Sequence, residues 1–138
     1  MTLPLTDPAA LAEALIACPS VTPATGVVFD CLEAMLAPLG FTVSRFVDGD
    51  APEGPVENLL AVRAGSGPHF AFAGHLDVVP PGEGWTSDAF RPERRGELLY
   101  GRGAVDMKGS IAAFVAAIAR AGEDTGPLSV LITGDEEG

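Results

Sequence analysis

The chain has 138 residues, 47% of them hydrophobic, and a formal net charge of −11. That length allows one domain at most, and the apolar content supplies a core, so a disordered chain is excluded. Such an acidic surface argues against nucleic acid and anionic membranes as partners, because both demand a basic patch, and it suits cations.

Asp7-Pro8 opens a first helix, with Asp7 as N-cap and Pro8 in the first turn; Leu11, Leu15 and Ile16 form its apolar stripe and Pro19 ends it. A second helix is expected from Thr25 to Pro38, with Val28, Leu32, Met35 and Leu39 on one face and Gly40 as its stop. Phe41 to Val47 reads as a strand, and Asp48 to Pro55 as a Gly/Pro/Asp loop. Leu59 to Arg63 and Phe70 to Ala73 are short apolar runs that read as strands, and Leu98 to Tyr100 as a third. Between them, Pro80 to Pro92 is a long Pro- and Gly-rich loop, of the kind that often carries function. Ile111, Phe114, Val115 and Ile118 fall at helical spacing, and Gly122 ends that helix. Leu128 to Thr133 is a wholly apolar run suited to a buried parallel strand.

Cys18 and Cys31 lack metal-type spacing and read as buried thiols rather than a disulfide. The longest apolar stretch, Ile111 to Ala119, is far short of the roughly 18 residues a bilayer span needs. The first basic residue is Arg45, so no charged leader is visible and cytoplasm is the default location.

Strand 70–73, helix 108–121 and strand 128–133 together suggest a βαβ unit, whose crossover makes the two strands parallel. His75 and Asp77 then follow the carboxyl end of one strand, and Glu136 and Glu137 that of the other. The helix start at Asp106 returns to the same rim, where open α/β sheets bind ligands. Carboxylates gathered there repel one another unless protons or divalent cations intervene. Taken singly, each residue has a plainer reading. Asp106 is a helix cap, His75 a satisfied rim histidine, and Asp135-Glu136-Glu137 a solvated turn. Together they form a metal-site signal. His69, at the start of a strand, reads as structural. Gly101-Arg102-Gly103 lacks the third glycine of a dinucleotide fingerprint, and Lys108-Gly109-Ser110 lacks the order of a phosphate loop.

Three segments carry a family likeness. Gly74-His75-Leu76-Asp77-Val78-Val79-Pro80, Tyr100-Gly101-Arg102-Gly103-Ala104-Val105-Asp106-Met107-Lys108-Gly109 and Thr133-Gly134-Asp135-Glu136-Glu137-Gly138 resemble the co-catalytic zinc aminoacylase and carboxypeptidase family. The resemblance implies an α/β, three-layer zinc-peptidase-like fold, with a mixed, largely parallel central sheet flanked by helices, of which this chain is a partial domain. It implies two divalent metal ions, zinc with cobalt or manganese as alternatives. Carried over by motif, His75 binds one ion, Asp106 bridges both, Glu137 binds the second, Asp77 orients His75, and Glu136 is the general base. A cis Asp106–Met107 peptide is also implied. Arg102-Gly103-Ala104 and the Trp85 to Phe90 loop look most like the desuccinylase members, which split an N-succinyl diaminopimelate in lysine and cell-wall precursor synthesis. Leu76 and Val105 depart from the residues common there. The alternatives are another deacylase, aminoacylase or dipeptidase of the family, or a metal-binding module without catalysis. The resemblance further implies that residues 1–138 are the N-terminal part of a catalytic domain, inactive alone. The remaining ligands and an inserted dimerisation domain would lie later in a homodimeric enzyme acting on a small N-acyl amino acid.

Overall fold

A computed structural model describes residues 2–138. Its elements, in chain order, are α1 (Pro8–Ile16), α2 (Val27–Leu36), β1 (Thr42–Asp48), β2 (Val56–Arg63), β3 (Phe70–His75), β4 (Glu93–Arg95), β5 (Leu98–Tyr100), α3 (Gly109–Ala121) and β6 (Leu128–Thr133). A 3-10 turn, Ala37–Leu39, closes α2, and a π turn, Ala104–Lys108, leads into α3. The Asp7 carboxylate caps α1 as the sequence implies, accepting from the N–H groups of Ala9 (3.0 Å) and Ala10 (3.2 Å).

β1, β2, β6 and β3 form one sheet in that order. β3 and β6 run parallel and adjacent, with His75 opposite Thr133, so the βαβ unit is present. The other two pairings, β1 with β2 and β2 with β6, are antiparallel. The sheet is therefore mixed, as expected, but not largely parallel. β2 returns from β1 through a short loop and inserts beside β6, and a loop that short permits only an antiparallel neighbour. β4 and β5 form a separate hairpin that composition did not suggest for Glu93–Arg95.

Strand alternation explains where the core lies. Leu59 and Ala61 of β2 and Leu128, Val130 and Ile132 of β6 point to one face and are buried against Leu11, Leu15, Phe29, Leu32, Met35, Ile111 and Val115 of the helices. Phe114 of α3 stacks on Phe72 at 4.4 Å between ring centroids. On the other face Phe46, Leu60, Val62 and Leu131 remain 37–48% exposed. Among the described residues the molecule thus has two layers, one helical and one sheet, and the second helical layer implied by the resemblance is not formed by them. His69, on that open face, shares a 2.7 Å hydrogen bond with Ser129. Cys18 and Cys31 are free, half-buried thiols, and burial pushes the Cys31 thiol up to about 12.

Candidate metal centre

β3 and β6, being parallel neighbours, deliver their carboxyl ends to one edge, and the chain before α3 returns there. His75 is the last residue of β3 rather than a residue beyond it. Glu136 and Glu137 follow β6 by a short turn. Asp106 does not cap α3, which begins at Gly109 without a side-chain cap. It sits instead inside the π turn, with extended backbone angles (φ −124°, ψ 94°), and its peptide bond to Met107 is cis, as the resemblance implies. Gly103 permits this turn. Its φ is +82°, and a Cβ there would lie 2.4 Å from Val78 Cγ1.

The structure brings one donor atom each from His75, Asp106 and Glu137 within 4.8 Å of one another. The Nε2 atom of His75 lies 2.9 Å from Asp106 Oδ1 and 3.8 Å from Glu136 Oε2. The Glu136 carboxylate is exposed and stands beside the cluster rather than in it.

Asp77 meets the His75 ring, chiefly through its backbone. Its backbone carbonyl, rather than its carboxylate, is the nearest partner of His75 Nδ1, at 2.9 Å; the carboxylate Oδ1 is 3.3 Å away. The carboxylate, fully buried, accepts hydrogen bonds from the backbone N–H groups of Glu136 (3.0 Å) and Glu137 (2.9 Å) and from the Thr22 hydroxyl (2.8 Å). Asp77 therefore ties the end of β3 to the turn after β6. Burial pushes its carboxyl up, but those donors and the nearby imidazole outweigh burial and hold it below the usual range.

Thr22 and Met107 escaped sequence reasoning. Thr22 reaches Asp77 across 55 residues. The Met107 sulfur accepts from the His75 N–H at 3.3 Å. Nothing in the Pro19 to Pro23 segment marks the first of these as part of the site.

The donor set fits a divalent cation. The Asp77 carbonyl is an acceptor only, so His75 Nδ1 carries a hydrogen, and the imidazole when neutral turns a lone pair on Nε2 toward Asp106. Two acceptors 2.9 Å apart repel unless a proton or metal ion lies between them. Burial lowers the affinity of His75 for a proton, but the Asp77 carbonyl and the Asp106 carboxylate raise it further, and the net shift is upward. Burial and the charges of Asp106 and Glu136 likewise push the Glu137 carboxyl up. A bound cation relieves all of this strain at once. One imidazole nitrogen and two carboxylates are ligands that zinc, cobalt and manganese accept.

Residues 71–138 match peptidase family M20/M25/M40. A succinyl-diaminopimelate desuccinylase of Sphingopyxis alaskensis is 77% identical over 133 residues, covering 96% of this chain and 35% of that protein. One of Novosphingobium aromaticivorans is 73% identical, covering 96% of this chain and 36% of that protein. The chain thus spans about a third of the length of these relatives. Among solved structures, human carnosine dipeptidase 1 superposes with a TM-score of 0.74 at 27% identity, over 92% of this chain and 31% of that one. The di-peptidase Dug1p of Saccharomyces cerevisiae superposes with a TM-score of 0.73 over 100% of this chain and 36% of that one; at 18% identity it speaks for the fold. Spanning both strand ends that carry the donor residues, the match establishes that the chain belongs to peptidase family M20/M25/M40.

Proposed function

We propose that this chain is the N-terminal, metal-holding part of the catalytic domain of a two-metal amide hydrolase. Its substrate would be an N-succinyl amino acid, N-succinyl-LL-diaminopimelate first, as in the relatives' names. The observation that carries this reading is the convergence of His75, Asp106 and Glu137 beside an uncommitted Glu136 carboxylate. His75 would hold one ion, Glu137 the other, and Asp106 both. When bound, such ions acidify a water and polarise the amide carbonyl. Glu136 would serve as the general base, taking a proton from the attacking water and returning it to the departing amine. Asp77 keeps the imidazole and the Glu136–Glu137 turn in register while this happens.

Two ions need more ligands than three side chains supply. A further carboxylate and histidine, and the domain that makes the enzyme a homodimer, would belong to the longer protein, consistent with the third of the relatives' length covered here. Its biosynthetic substrate suits the cytoplasm, and no helix described is long and apolar enough to cross a membrane.

The test uses the longer protein that carries this chain. N-succinyl-LL-diaminopimelate is expected to be hydrolysed orders of magnitude faster than N-acetylornithine. Glu136→Gln should lower turnover by about 10²-fold or more with the metal content retained. Faster deacetylation would overturn the substrate assignment, and an active Glu136→Gln variant the assigned base. Residues 1–138 alone should bind metal weakly and turn over at background, and measurable hydrolysis by them would contradict the division of the domain.

A further inference from the structure

A cavity of about 360 Å³ opens directly beside the metal donors. Asp106 and Glu137 belong to its lining, together with Val79, Trp85, Tyr100, Arg102 and the segment between Gly103 and Val105. Besides Asp106, Glu137 and the phenol of Tyr100, the lining side chains are largely apolar, and Arg102 is the one basic residue among them. We propose that Arg102 binds the free carboxylate of the substrate's acyl group, so that this cavity selects dicarboxylic acyl chains over simple ones. The proposal rests on the hydrolase reading above.

Three features support it. First, Arg102 is uncommitted. Arg45, Arg94 and Arg95 pair with carboxylates, whereas Arg102 forms no ion pair among the described residues. Its Nη2 donates to the Pro81 carbonyl at 2.9 Å, and its Nε, although buried, meets no protein acceptor. A guanidinium carries five N–H donors in a planar fork, and this one spends few of them on the protein. Second, Arg102 is held in place. Its backbone N–H donates to Ala89 O at 2.7 Å, and its guanidinium lies 5.5 Å from the Trp85 ring centroid. The Trp85 indole N–H donates to the same Pro81 carbonyl at 2.9 Å. Loop 80–92 thereby becomes a fixed wall, and a donor immobilised before binding loses little entropy on binding. Third, the charges require it. The single free carboxylate of such an acyl group, entering a chain of net charge −11 away from the metal donors, meets repulsion that Arg102, the one basic residue of this lining, offsets. A carboxylate on the guanidinium fork forms the charge-assisted pairs that a monoacid of equal length cannot.

The experiment compares succinate with butyrate as inhibitors of the metal-loaded longer protein. Wild type should bind succinate about tenfold or more tightly than butyrate. Arg102→Gln should reduce succinate to the level of butyrate and leave butyrate unchanged; Arg102→Lys should recover part of the preference. A succinate preference that survives in Arg102→Gln, or is absent in wild type, overturns the proposal. Should Arg102→Gln fail to fold, the wild-type protein suffices. The Arg102 Nε–H resonance should move on addition of succinate and not butyrate, and an unmoved resonance at saturation overturns the proposal. The two readings fail separately. An Arg102-dependent succinate preference without amide hydrolysis sinks the hydrolase and keeps the anion site. Hydrolysis with a preference indifferent to Arg102 sinks the anion site alone.

Discussion

Asp77→Asn tests how the two donor-bearing strand ends are joined. The native carboxylate is fully buried and accepts from Thr22 Oγ1 (2.8 Å), Glu136 N (3.0 Å) and Glu137 N (2.9 Å). An amide keeps one acceptor oxygen and turns an NH₂ group on the other side. Placed at Oδ2, that group opposes the Glu136 and Glu137 N–H groups; placed at Oδ1, it opposes Glu136 N and the His75 Nδ1–H. Either rotamer sets a donor against a backbone donor. Losing one charge-assisted hydrogen bond and leaving a buried N–H unpaired costs about 2–4 kcal/mol. The Asp77 backbone carbonyl remains, so His75 keeps its tautomer. Urea unfolding should therefore show a lower midpoint, zinc affinity should fall roughly 10–100-fold, and the His75 Nδ1 nitrogen shift should stay unchanged. A zinc affinity within twofold of wild type, with stability intact, would refute the argument that Asp77 secures the Glu136–Glu137 turn.

Gly103→Ala forces a Cβ onto Val78 Cγ1 at a backbone angle of +82°; it should cost about 1–3 kcal/mol in urea unfolding and loosen the Asp106 turn. The Cys31 thiol, raised by burial from 9.0 to about 12, keeps its proton in the fold where the unfolded chain has lost it. Its contribution is whole below about pH 9 and is lost as pH rises toward about 12, so Cys31→Ala should flatten the decline of stability across that window relative to wild type. The open sheet face should bind a hydrophobic dye and drive self-association of the 138-residue chain. Phe46→Ser, Leu60→Thr and Leu131→Thr together should reduce both signals in fluorescence titration and sedimentation.

Local and crossover features were legible in the sequence, and cross-chain details were not. Asp7-Pro8 writes its helix start within a few residues, because cap and first turn are neighbours. His75, Asp106 and Glu137 were legible as one site because a βαβ crossover allows a single handed arrangement and aligns the strand ends. The position of β2 between β1 and β6 depends on pairing energies spread over the whole sheet, so the antiparallel majority was hidden. Glu93–Arg95 carries no apolar alternation and is a strand only because Leu98–Tyr100 folds back on it. The spacing of His75 and Asp77 announced a partnership but not its atoms; which Asp77 oxygen meets the imidazole follows from where Thr22 and the Glu136–Glu137 turn arrive.

The most direct measurement is anomalous scattering at the zinc edge from zinc-soaked crystals of the longer protein. Two peaks about 3.5–4 Å apart are expected, one about 2.0–2.2 Å from His75 Nε2, the other at that distance from a Glu137 oxygen, with Asp106 touching both. Ions bound elsewhere, or an Asp106 carboxylate that contacts neither, would contradict the account.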